Sequence, residues 1–268
     1  MTDFDLCVGV DYSGAQTAVS RLRSLQVYIT TPGGLPEKQS SAARSNSGKS
    51  LNWSRKEVAR WLIDLARSGT RYIAGIDHSF AFPLDYFERY KLSSWQSFLN
   101  DFVRRWPTHL DGVSVESVRN KMREKRGGRA PSMRVGKATE LRLCDRWTSS
   151  AKSVFQFDVQ GQVAKSSHAG IPWLKHIRDE VGEQIHFWPF DGWTPAQGKC
   201  VIAEVYPSVL RRRYDRDQRS VDEHDAYSVA RWLAESDARG ILDHYFDPPL
   251  TAHEREVANI EGWILGIG

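Results

Sequence analysis

At 268 residues, 40% of them hydrophobic and 26% charged, the chain has enough material for one large or two small globular domains with a sizeable core. No run approaches the roughly eighteen apolar residues that a membrane span needs, and the acidic start MTDFD is unlike a signal peptide, so a cytoplasmic protein is expected. Cys7, Cys144 and Cys200 are scattered without a C-x-x-C pair, which argues against a disulfide framework or a thiolate zinc site, and a net charge of +4 does not by itself define a nucleic-acid partner.

The first strong element is the apolar run 6–10, which ends on Asp11 and is followed by the turn-formers YSGA. Next, QTAVSRLRS and LQVYITTP have the composition of two further strands in a meander. The stretch 33–52 is rich in Gly and Ser and is expected to be an exposed loop. Its Gly48-Lys49-Ser50 matches the end of a phosphate-binding loop, but Ala43 stands where the upstream glycine belongs and no strand precedes it. Ser54 and Glu57 form a capping box, and Val58, Trp61, Leu62 and Leu65 follow at helical spacing. That helix leads into a second apolar run, 72–76, which ends on Asp77. A helix returning the chain to a parallel strand is the crossover unit of α/β folds.

Two such strands in one parallel sheet place Asp11 and Asp77 at the same edge, where open α/β sheets bind ligands. Adjacent strands lie roughly 5 Å apart, so the two carboxylates repel unless one is protonated or a cation sits between them. A divalent-metal site is the expectation.

From 84 to 106 the pattern is helical, with Trp95, Phe98, Leu99, Phe102 and Trp106 on one stripe. The segment 119–142 carries Arg119, Lys121, Arg123, Lys125, Arg126, Arg129, Arg134, Lys137 and Arg142 against only Glu124 and Glu140. It is either a solvated loop between helices or a flap that contacts phosphates. KSVFQFD is expected to form a strand, GQVAKSSHAGIPWLKHIRDEV a turn and a helix, IHFWPF a short extended piece and KCVIAEVYP a strand. Glu204 is anomalous within that last strand, because a carboxylate among Ile202, Ala203, Val205 and Tyr206 is costly to bury without a partner. A functional role and a structural ion pair are the two options, the first preferred. In SVDEHDAYSVARWLAE, Ser220 and Glu223 can form a capping box, and Asp222 and Asp225 lie three residues apart on one side of the first turns. Alone, these acids would merely complement the helix N-terminus. Beside Asp11, Asp77 and Glu204 they point to chemistry. The end of the chain, 242–268, has the pattern of helical packing.

The motifs VGVDYSGA, AGIDHSFAFP, AEVYPSVL and DEHDAYSVARW, in this order, resemble an uncharacterised family of predicted ribonuclease H-like nucleases classed as a domain of unknown function. The last motif also resembles that of Holliday-junction resolvases, where D-x-x-D-A opens the final catalytic helix. The resemblance implies an α/β ribonuclease H-like three-layer fold, with a mixed central sheet and flanking helices, over 1–268 and a basic insertion at about 107–150. It further implies phosphodiester hydrolysis with Mg2+ or Mn2+, Asp11 being shared between metals, Asp77 and Glu204 further ligands, and Asp225 the helix-borne ligand with Asp222 as its substitute. Nucleic acid is then the partner, with Arg123, Arg126, Arg129, Arg134, Lys137 and Arg142 as candidate phosphate contacts. His78, which with Ser79 departs from the small or hydrophobic residues of many relatives, is a candidate for positioning water or substrate. Two rival readings are a non-catalytic nucleic-acid-binding module and a sugar-kinase or actin-like phosphotransferase. The second needs two copies of the domain and a second phosphate loop, and no second copy is visible in the sequence.

Overall fold

The computed structural model describes residues 3–124, 134–148, 150–157 and 163–268, without the side chains of 122–124. The first strand, β1 (Leu6–Asp11), pairs antiparallel with β2 (Gln26–Thr30), which pairs antiparallel with the short β3 (Glu37–Lys38). Helix α1 (Arg55–Arg67) carries the expected Ser54/Glu57 capping box and crosses to β4 (Tyr72–Ile76), parallel to β1. There follow α2 (Leu84–Tyr90), α3 (Trp95–Arg105), α4 (Val115–Glu124), α5 (Leu143–Trp147) and α6 (Val163–Val181). Strand β5 (Ile185–Trp188) then runs parallel to β6 (Cys200–Glu204), itself parallel to β4. Helices α7 (Val221–Ala238), α8 (Leu242–Phe246) and α9 (Ala252–Glu261) complete the chain. The result is an α/β fold with a six-stranded mixed sheet in the order β3-β2-β1-β4-β6-β5, flanked by helices.

Strand periodicity sorts the two faces. Val8, Val10, Ala74, Ile76 and Ile202 pack with α1, α3 and α6, whereas Cys7, Ile73, Val201, Ala203 and Val205 pack with α7. Gly9 is required on the α7 side, because a Cβ there would lie 2.1 Å from the Ala226 carbonyl oxygen. The small Ala226 and Ala230 of α7, both fully buried, complete this close approach. The helix is thereby pressed directly onto the strand that ends in Asp11.

Three expectations about elements are corrected. Residues 16–24 are turns with one isolated bridge at Thr17 and not a strand, because Gln16 takes a left-handed conformation (φ 52°) and its carbonyl accepts from the buried guanidinium of Arg55 at 3.1 Å, which also binds the carbonyls of Ser13 (3.0 Å) and Ala15 (2.6 Å) in the preceding turn. The third meander strand is instead β3, inside the stretch expected to be a loop. The helical pattern over 84–106 is two helices, broken where Lys91 takes a left-handed conformation (φ 53°) and Ser94 caps α3. The hydrophobic stripe of α3 and Trp106 is buried throughout, as expected. Finally, residues 152–157 contain a turn at Val154 and Phe155 and no strand. Among the described residues no helix is long and apolar enough to cross a membrane.

Candidate functional site

Asp11 is the last residue of β1, and Asp77 follows β4 directly. The Asp77 N–H donates to the Val10 carbonyl at 3.0 Å, so the β1–β4 ladder runs through to the two aspartates. They therefore sit side by side on neighbouring parallel strands, about 4.8 Å apart in the pairing direction. Strand alternation sends both toward α7, in line with Gly9 and Gly75. The Gly9–Ala226 contact brings the first turns of α7, with Asp222 and Asp225, to the same sheet edge.

The charges of this group act on one another. Burial holds the Asp11 carboxyl well above the usual carboxylate range, and the charges of Asp77, Asp222 and Asp225 push it further. Asp77 is pushed up to about 8, first by burial, then by Asp225 and Glu204, with Arg211 opposing. Asp225 is raised by burial against the pull of Arg211 and His224, and Asp222 by burial and the Glu223 charge. Hydrogen bonding gives little relief. Among the described residues nothing donates to the carboxylates of Asp11 or Asp77. Asp225 Oδ1 is buried without a partner, and its Oδ2 meets Arg211 Nη1 only at 3.5 Å. No three His, Cys, Asp or Glu side chains among the described residues are already gathered closely enough to hold a metal ion. The arrangement is thus a set of carboxyls from three elements at one sheet edge, raised by burial and by one another, with oxygens left over.

A pH dependence follows. With its carboxyl shifted to about 8, folded Asp77 keeps a proton that the unfolded chain releases near pH 4. The native state binds more protons between these values, so stability falls as pH rises from about 4 to about 8 and levels off above. Urea unfolding in EDTA is expected to show wild type losing on the order of 5 kcal/mol more over this range than Asp77→Asn. Parallel pH profiles for the two proteins would contradict the shift.

The remaining candidates lie elsewhere. Glu204 pairs in register with Ile76, not Asp77, so its side chain takes the sheet face opposite α7. There Arg142 clasps it, Nη1 donating to Oε2 at 2.7 Å and Nη2 to Oε1 at 2.5 Å, and the Phe80 N–H donates to Oε2 at 2.9 Å. Both oxygens are used, which is the structural-pair option. Arg142 is 1% exposed and also holds Asp145 through Nη2 (3.0 Å) and Nε (3.2 Å), so it is a core residue and not a phosphate contact. Arg134 is paired with Asp101 at 3.1 Å and lies over the Tyr90 ring. Lys137 is exposed on the loop before α5. Arg126 and Arg129 lie outside the described residues, as does the side chain of Arg123.

His78 is a core histidine and does not present itself to substrate. It is buried between the Tyr12 ring (4.6 Å) and Phe80, and its Nδ1 bonds the Ser79 carbonyl at 3.0 Å. Burial pushes its pKa down to about 4, so it is neutral at physiological pH. The backbone of α6 closes over it, since a Cβ on Gly170 would lie 2.3 Å from Nε2.

The basic residue that does reach the acids is Arg211, from a 3-10 turn over Arg211–Arg213 between β6 and α7. Its sequence signal is the run of three arginines after YPSVL, which the longer basic segment overshadows. No family model, curated protein or solved structure matches this chain.

Proposed function

We propose that this protein is a ribonuclease H-like, divalent-metal-dependent nuclease that hydrolyses phosphodiester bonds at the Asp11–Asp77–Asp225 edge. The observation that carries the reading is the convergence of three carboxylates with unpartnered oxygens, each raised by burial and most by its neighbours' charge. Such a group is stabilised by a cation, and an all-carboxylate donor set suits Mg2+ or Mn2+ better than softer metals. Asp11, in the middle, is the shared ligand, Asp77 and Asp225 are the flanking ones, and Asp222 is the substitute. A divalent ion here would activate water and stabilise the leaving oxygen of an in-line displacement. The strand plan supports the reading: an antiparallel β1–β2–β3 meander, then parallel strands, then a late helix bearing acids. Edge strand β5 is an addition beyond β6.

Glu204 takes a different part here. Clasped by Arg142, it fixes the strand end beside Asp77 and adds negative charge to it.

The test is calorimetric titration with Mn2+ across pH. Binding must displace the proton that Asp77 retains, so affinity is expected to rise as pH approaches about 8, with proton release seen as a buffer-dependent heat. No Mn2+ binding at millimolar concentration at any pH would overturn the reading.

A further inference from the structure

We propose that the turn Arg211–Arg213, continued by Arg216, is a docking track for the phosphate backbone of a nucleic-acid strand, delivering it to the carboxylate edge. This rests on the nuclease reading and names the surface that the substrate uses. The turn leaves the C-terminal end of β6 and runs into α7, so it borders the same sheet edge as Asp11 and Asp77. Arg212, Arg213 and Arg216 are exposed, and among the described residues none has a carboxylate partner. The basic segment between α4 and α6 contrasts with this: its described Arg134 and Arg142 are both committed to acids.

The track is also braced. His224 Nε2 bonds the Arg211 carbonyl at 3.0 Å, which ties the turn to α7 one residue from Asp225. At the other end Tyr214 donates its hydroxyl to Glu235 at 2.9 Å, and the Arg231 guanidinium covers its ring. Arginines on an anchored turn lose less freedom on binding than those on a free loop. Their planar guanidinium groups suit phosphate oxygens. Arg211 is the link between track and site: its contact with Asp225 is long, and a cation on Asp225 would release it to the incoming phosphate.

The test measures binding and cleavage separately. Anisotropy of labelled single-stranded and duplex oligonucleotides, in EDTA over a salt series, compares wild type with the triple variant Arg212→Gln, Arg213→Gln, Arg216→Gln. A control removes equal charge from exposed Lys49, Arg60 and Arg239. The track variant is expected to bind at least about tenfold more weakly, with a salt slope flatter by about two to three, while the control stays near wild type. Unchanged affinity and slope in the track variant, or an equal loss in the control, overturns the track, whether or not wild type cleaves with Mn2+. Arginine-dependent binding to anionic vesicles without binding to nucleic acid overturns it as well. A track-dependent loss of binding in a protein that never cleaves would keep the track and remove the nuclease reading.

Discussion

Asp11→Asn is expected to lower Mg2+-supported cleavage of labelled nucleic acid at least about 1000-fold, roughly 4 kcal/mol of barrier, while raising the unfolding midpoint of the metal-free protein. The two effects have one cause. Burial first, and then the charges of Asp77, Asp222 and Asp225, hold the Asp11 carboxyl well above the usual range, so in the absence of a cation ionising it works against the fold. Asn keeps the shape, removes the charge and ends the mutual repulsion. With a cation the same charge is what binds the metal, and Asn is a poor substitute for a ligand shared between ions. A structural acid behaves in the opposite way: its removal destabilises the protein and leaves chemistry alone. Cleavage assays over single- and double-stranded DNA and RNA, paired with denaturation in EDTA and in Mg2+, separate the cases. If Asp11→Asn cleaves like wild type, or unfolds more easily in EDTA, the carboxylate cluster is not a metal site.

The sugar-kinase alternative rests on the shared strand plan and needs a glycine-rich turn after β1 to hold phosphates, where DYSGAQTA has the single glycine Gly14. Here a Cβ on Gly14 would lie 2.2 Å from the backbone of Lys165, so the glycine serves the packing of α6 on the turn. The space is taken by protein.

Asp11 and Asp77 were legible because strands buried on both faces read as continuous apolar runs, and a charge at the end of such a run stands out. The α7 acids were legible for a similar reason, through the Ser220/Glu223 box that fixes where the helix starts. Glu204 was misassigned because composition shows that a strand is buried but not which face each residue takes. A single step of register decides that, and register is a property of pairing between β4 and β6, far apart in sequence. The basic residues failed differently. Counting Lys and Arg over 119–142 cannot tell an arginine that is solvated from one that is sequestered, and Arg142 is the most buried of the described arginines of its segment. The turn at Gln16 escapes sequence reading for the same reason: one buried guanidinium takes its carbonyl together with those of Ser13 and Ala15 before it.

Arg142→Ala is expected to destabilise the protein by about 3–5 kcal/mol, because it leaves Glu204 and Asp145 buried without their cation. The network extends further. Glu261 on α9 accepts from the N–H of Leu143 at 2.5 Å and from that of Leu84, while its carbonyl lies 3.5 Å from Arg142 Nη1, so α5, α9 and β6 meet at this guanidinium and α2 joins them through Glu261. Lys in its place keeps the charge but cannot span both carboxylates as the planar fork does, so Arg142→Lys is expected to recover only part of the loss. The decisive comparison is the triple change Arg142→Met, Asp145→Asn and Glu204→Gln, which removes the guanidinium together with both carboxylates it holds. If the network serves only to neutralise these buried charges, that variant regains much of the stability lost by Arg142→Ala, as replacement of buried ion pairs by neutral groups often does. Its metal affinity then reports the second role separately. Glu204 raises Asp77 by its charge, so removing that charge lowers the Asp77 carboxyl toward its ordinary range and shifts the pH at which Mn2+ binds to lower values. Recovery of stability with an unshifted Mn2+ profile would make Glu204 a purely structural partner of Arg142, with the metal edge defined by the aspartates alone.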